Sequence, residues 1–313
     1  MINNLSNISK KEASILKTLV FFDMFDFPLT AFELWQYSCI ECDLGELIAV
    51  LDNSEYLKRK ISVKNIFYCL RDREEIISIR LARYHSSARK FKKAKSFIYL
   101  FRLFPWIEMI AMANVIGADN LRDESDIDLF IITSSKRIWI TRFFCILITK
   151  LFNARPKPGK KRDKICLSFY VARDGLNLKN LMLADDVYFK HWLISLMPLL
   201  DRKNTYKKFI KKNFWIKKDF PNWEEVKTVE NRKIKNIKNI IYLEIFDLFF
   251  GGLDQTVKKL QLKLLAPELK KKLNKDTSVV MSDQVLKMYS NDRRESYKKR
   301  YNNKLKVYKV ESL

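Results

Sequence analysis

Two carboxylates stand one residue apart in the stretch "LRDESDIDLFIITSS" (121–135): Asp126 and Asp128, separated by Ile127, preceded by Ser125 and followed by the apolar run 129–132. If this stretch is a strand, residues i and i+2 share a face, so the two acids project together about 7 Å apart at the backbone while Ile127 points the other way. Two ionised carboxylates that close repel unless something stands between them. A divalent cation removes the conflict, and magnesium favours one or two carboxylates completed by phosphate oxygens. The pair therefore reads as a ligand set for Mg²⁺ (or Mn²⁺) carried by a nucleoside triphosphate. A helix cap or a solvated strand edge is the other reading of an isolated D-x-D.

The surrounding sequence predicts a scaffold for such a pair. "EMIAMANVI" (108–116) reads as a strand that ends at Gly117, and 126–133 as a second strand. "RIWITRFFCILITKLF" (137–152) reads as a helix apolar nearly all round and hence buried. A basic, proline-bearing loop, "NARPKPGKKRD", leads to a third strand over 164–172. Strands separated by a buried helix imply a small mixed sheet with helices against it.

Gly117, a short loop, and then Ser125-Asp126-Ile127-Asp128 opening an apolar strand together resemble the signature of the DNA polymerase β-like nucleotidyltransferases. The specific part of the likeness covers 110–133, and the looser sheet order extends to 172. The resemblance implies transfer of a nucleoside monophosphate from a triphosphate to a hydroxyl. In that family both aspartates hold metal ions that bridge the triphosphate, and a glycine with a following serine cradles the phosphates. Gly117, Ala118 and Ser125 are the corresponding nucleotide-contacting candidates here. Ala118 departs from the pattern, since it brings no hydroxyl, and the loop to Asp126 is several residues shorter than usual. The family's third carboxylate belongs within the third strand, yet Ile165, Cys166, Leu167, Ser168, Phe169 and Tyr170 include no acid. Asp163 just before and Asp174 just after are the possible stand-ins.

Around this core the chain reads as mainly helical, giving an α+β protein overall. Helical spacing over 12–25 ends before Pro28, and Thr30/Glu33 and Asp43/Glu46 have the arrangement of capping boxes. Two β-leaning runs joined through Lys64-Asn65 follow as a hairpin. Three short helices and a hairpin are the order of a winged helix, a module that binds DNA or serves as a protein contact. From Asp72 a long helix runs to Pro105, with Arg80, Arg83, Arg89, Lys90, Lys92, Lys93 and Lys95 on its polar faces. That run is either a solvated face or a stripe facing nucleic acid. The expected organisation is a winged-helix-like segment 1–72, a connecting helix 73–105, a nucleotidyltransferase-like core 106–175, and a helical region with a basic tail over 176–313. Within the tail, Asp292-Arg293-Arg294 reads as a surface salt-bridge cluster or as a charge clamp on the site. Asp185 and Asp186 read as helix caps.

Sixty Lys plus Arg against 36 Asp plus Glu give a net charge of +24, which favours an anionic partner such as nucleotide or nucleic acid, although compositional bias also produces such an excess. Five cysteines, an odd number, do not suit a disulfide framework, and the single C-x-x-C (Cys39, Cys42) has too few further Cys or His for a zinc site. No apolar run is long enough to span a bilayer and no signal-peptide pattern opens the chain, so a soluble, cytoplasmic protein without a membrane partner is expected. Three functions fit: a Mg²⁺-dependent nucleotidyltransferase, a catalytically inactive relative that binds nucleotide or nucleic acid, and a DNA-binding regulator.

Overall fold

The computed structural model describes residues 8–113, 116–117, 119–237 and 240–310. The protein is α+β, and it divides into two compact units. Unit 1 comprises Met1–Tyr84, Trp215–Glu225 and Glu295–Leu313; unit 2 comprises His85–Phe214 and Val226–Arg294.

In unit 1, α1 (Lys10–Asp23), α2 (Ala31–Gln36), α3 (Leu44–Asn53) and the single turn α4 (Glu55–Lys58) precede the antiparallel hairpin β1 (Ile61–Lys64) and β2 (Phe67–Leu70). Local chemistry fixes these starts. Ser9 and Glu12, Thr30 and Glu33, and Asp43 and Glu46 each form a reciprocal cap, satisfying backbone N–H groups that the first helical turn leaves without partners. The hairpin turns through Asn65 at φ 57°, a left-handed conformation that Asn tolerates better than most residues. Leu16, Leu19, Val20, Phe22, Phe27, Leu34 and Leu57 fill the core. Tyr301, from the terminal helix, packs edge-on against Phe21 with ring centroids 6.2 Å apart.

Helix α5 (Glu75–Phe101) leads into unit 2, whose sheet has six strands. These are β3 (Ile107–Met112), β4 (Ile127–Thr133), β5 (Ile165–Ala172), β6 (Met197–Asp201), β7 (Val279–Met281) and β8 (Val285–Met288), in the order β6-β3-β4-β5-β8-β7. Only β4 and β5 are parallel, and α6 (Ile138–Leu151) links them, because parallel neighbours need a crossover. Asp254 accepts hydrogen bonds from the Trp139 and Ile140 amides (3.0 and 2.9 Å) and so caps α6 from a distant element, α10 (Asp254–Lys263). The core gathers around Ile110, Leu129, Ile131, Trp139 and Tyr170. On the other face, Phe130 and Phe169 sit edge to face at 5.1 Å and Phe169 stacks on Trp192 at 5.2 Å.

Two expectations are corrected here. Residues 176–313 are not simply helical: besides helices such as α7 (Val187–Ile194), α8 (Thr205–Lys212), α9 (Ile240–Phe250), α11 (Pro267–Lys272) and α12 (Arg294–Val307), they supply β6, β7 and β8. These strands are three to five residues long, too short for a period-2 signal to declare itself. Pro198 lies in β6, at the sheet's rim, where a residue without an N–H is tolerated. Helix α6 is also not buried all round, since Leu151 is 74% exposed at its end.

Candidate functional site

The site forms where β4 and β5 begin. Asp128 is paired across the parallel ladder with Cys166, and the ligand atoms of Asp126, Asp128 and Cys166 all lie within 4.8 Å of one another. This is the one grouping of potential metal ligands among the described residues. The ladder slips immediately beyond it: Asp128 faces Cys166, but Phe130 faces Phe169, so β5 carries an extra residue. Such bulges re-aim side chains and occur next to functional sites. The Cys166 sulfur lies 3.0 Å from the Ser168 hydroxyl, and its thiol also donates to the Asp128 carboxylate.

A buried lysine holds the approach to the pair. The Lys90 ammonium, on α5 and fully buried, donates to the carbonyl oxygens of Asp123 (3.0 Å) and Ser125 (2.5 Å) and to the Asp163 carboxylate (2.8 Å). The Asp163 amide donates back to the Ser125 carbonyl (3.1 Å), and the Ile127 amide to the Lys164 carbonyl (2.7 Å). The Leu121 amide bonds to the Ser87 hydroxyl at 3.0 Å. The loop that delivers the aspartates is therefore tied to α5 and to the start of β5 at several points.

Electrostatics sets the pair apart from ordinary surface acids. Burial raises Asp126, opposed by the positive charges of Lys161 and Lys90. Burial also pushes Asp128 up to about 7, the neighbouring Asp126 charge adds to the rise, and the Cys166 thiol opposes it. Burial, then Asp128 and Asp126, holds the Cys166 thiol well above its ordinary value, and Tyr289 is raised by burial and then by Asp128. A cleft of about 460 Å³ opens at the loop before β5, lined by Glu124, Gly159, Lys160, Lys161, Arg162 and Lys164, and the Lys161 charge links it to Asp126. Arg162 is paired with Asp123 at 2.9 Å, whereas Lys160 and Lys161 have no carboxylate partner among the described residues.

The other sequence candidates fall as follows. Gly117 is buried at φ +80°, a conformation that favours glycine. Ala118 lies outside the described residues. The Ser125 hydroxyl donates to the Arg122 carbonyl (2.9 Å), so it braces the loop. Asp163 does not join the pair. Burial alone would raise it, but hydrogen bonds from Arg89 and Lys90 bring it below the usual carboxylate range and commit it to a structural network. Asp174 follows the far end of β5, because Cys166 pairs with Asp128 while Ala172 pairs with Thr133 at the opposite end of the ladder. Cys166 is the β5 side chain that reaches the pair.

The basic run on α5 is largely spent inside the protein. Arg80 grips Glu33 through two bonds of 2.8 and 2.9 Å, Arg83 pairs with Asp26 at 3.0 Å, and Arg89 pairs with Asp123 and Asp163. Lys90 belongs to the basic run expected on a polar face, solvated or facing nucleic acid, yet it is fully buried. Its spacing from Ser87, Phe91, Ala94, Ile98 and Phe101, all buried, places it on the inward side of the helix, and that signal was available. Arg294 pairs with Asp186 (3.0 Å) and Asp292 (2.7 Å) as a buried cluster, and Asp186 caps α7. No helix among the described residues is long and apolar enough to cross a membrane. No family model matches this chain, and no curated protein or solved structure matches it either.

Proposed function

We propose that unit 2 binds a nucleoside triphosphate together with a divalent cation at Asp126 and Asp128 and transfers the nucleoside monophosphate to a hydroxyl acceptor, as a nucleotidyltransferase-like domain. One observation carries the reading: the carboxylates of Asp126, just before β4, and Asp128, within it, are held close together, and Lys161 from a basic cleft acts on Asp126. The donor set suits a cation, since burial raises both acids and the Asp126 charge raises Asp128 further, a conflict that a positive ion between them removes. When bound, the cation would neutralise charge on the phosphates and lower the pKa of the acceptor hydroxyl. The chain's own part is positioning. Lys90 fixes the loop, Asp126 and Asp128 supply oxygen ligands, and Lys161, which lines the cleft and acts on Asp126, offers its charge to the phosphates.

A second reading, nucleotide binding without transfer, is favoured by Cys166 standing where an acid would activate the acceptor and by Asp163 being held by Arg89 and Lys90. The winged-helix order of unit 1 would give either version a docking module. A DNA-facing role for α5 draws little support from arginines already paired with carboxylates. Incubation of the protein with α-labelled triphosphates, Mg²⁺ or Mn²⁺ and host lysate tests the proposal. Label on an acceptor, lost in Asp126→Asn/Asp128→Asn, supports transfer. Cation-dependent binding without label transfer selects the second reading, and no binding overturns both.

A further inference from the structure

We propose that Cys166 is the third protein ligand of the cation held by Asp126 and Asp128, so that this site prefers a thiophilic transition cation of the Zn²⁺/Co²⁺ class to Mg²⁺. The inference rests on the reading that the two aspartates hold a cation, and it adds the ligand that decides which one.

Cys166 is the cross-strand neighbour of Asp128, and its sulfur is within 4.8 Å of both carboxylates. Ligands on a tetrahedral ion bonded at about 2.0–2.3 Å stand about 3.5 Å apart, so side-chain adjustments of about an ångström close the set. The bulge in β5 and the 3.0 Å contact with the Ser168 hydroxyl fix where the sulfur points. Thiolate is a soft ligand suited to zinc-like ions, whereas magnesium takes hard oxygens. Three protein ligands with a fourth position open is the arrangement of zinc sites that keep room for water or substrate. Lys161, which lines the cleft before β5 and acts on Asp126, offers its charge to an anionic ligand in that position. Binding balances simply. The thiol proton now donated to Asp128 leaves to solvent, the sulfur gives its electron pair to the metal, and the freed Asp128 oxygen becomes a second ligand.

Titration of the full chain with Co²⁺, followed by absorption, separates this inference from the one beneath it. Visible ligand-field bands that vanish in Asp126→Asn/Asp128→Asn report cation binding by the aspartates. A near-ultraviolet sulfur-to-cobalt charge-transfer band that vanishes in Cys166→Ser, and persists in Cys39→Ser/Cys42→Ser, reports Cys166. Competition should show the Zn²⁺:Mg²⁺ affinity ratio falling by about tenfold or more in Cys166→Ser, since even outer-shell losses cost that much. Cys166→Asp should shift preference toward Mg²⁺ and, as an oxygen donor at the same place, retain binding if the serine variant folds poorly. Ligand-field bands without a charge-transfer band, together with an unchanged affinity ratio in Cys166→Ser, overturn the inference while leaving the aspartate site standing. No ligand-field bands at all overturn both.

Discussion

Asp128→Asn is the perturbation on which the electrostatic reasoning can be tested most directly. In the folded protein this carboxyl titrates near 7, chiefly because of burial and then the Asp126 charge, against about 3.9 in an unfolded chain. A folded-state pKa above the unfolded value means the native state holds the extra proton between those two pH values. Stability therefore falls as pH rises through that window. At about 1.4 kcal/mol per pKa unit, the ionised Asp128 costs the metal-free fold at most about 4 kcal/mol at pH 8, of which about 2–3 kcal/mol is incurred between pH 5 and pH 8. Partial solvent access to the residue trims both figures. Asparagine keeps the shape and an oxygen to accept the Cys166 thiol, but it has no charge to bury. The assay is urea or thermal unfolding of wild type and variant in chelator at pH 5 and pH 8. The variant should gain on the wild type by about 2 kcal/mol between the two, a difference of roughly 4–8 °C in midpoint. Adding Mn²⁺ at pH 8 should close most of that gap, because a cation at about 100 times its dissociation constant stabilises the wild type by about 2.7 kcal/mol and leaves the variant almost unmoved. Parallel pH profiles for the two proteins in chelator would refute the claim that burial and the Asp126 charge raise Asp128.

Further outcomes follow from the same geometry. Lys90→Met should lower stability by about 1–3 kcal/mol in chemical denaturation, because it leaves the Asp123 and Ser125 carbonyls without their donor while Arg89 still holds Asp163. Lys161→Glu should weaken Mn²⁺–nucleotide binding by about 1–2 kcal/mol in calorimetry, with the loss shrinking at high salt and the melting midpoint nearly unchanged. Asp254→Ala should cost about 1–2 kcal/mol and show first as faster amide exchange at Trp139 and Ile140, whose N–H groups it caps.

The sequence by itself determined the elements whose signals are local. An N-cap side chain (Ser9, Thr30 or Asp43) with a Glu three residues on sets the starts of α1, α2 and α3, because a cap is made within one turn. Period-2 spacing brings Asp126, the residue before β4, and Asp128, within it, close together, and the apolar run behind them anchors that strand. Tertiary structure alone decided the rest. It chose Cys166 as the neighbour of the pair, since inter-strand register and the β5 bulge depend on how two separate strands meet. It consumed Asp163 in a network with α5, and it carried Asp174 to the other end of the sheet. It also drew β6, β7 and β8 into the sheet, because strands of three to five residues gain their hydrogen bonds only from partners far away in the chain.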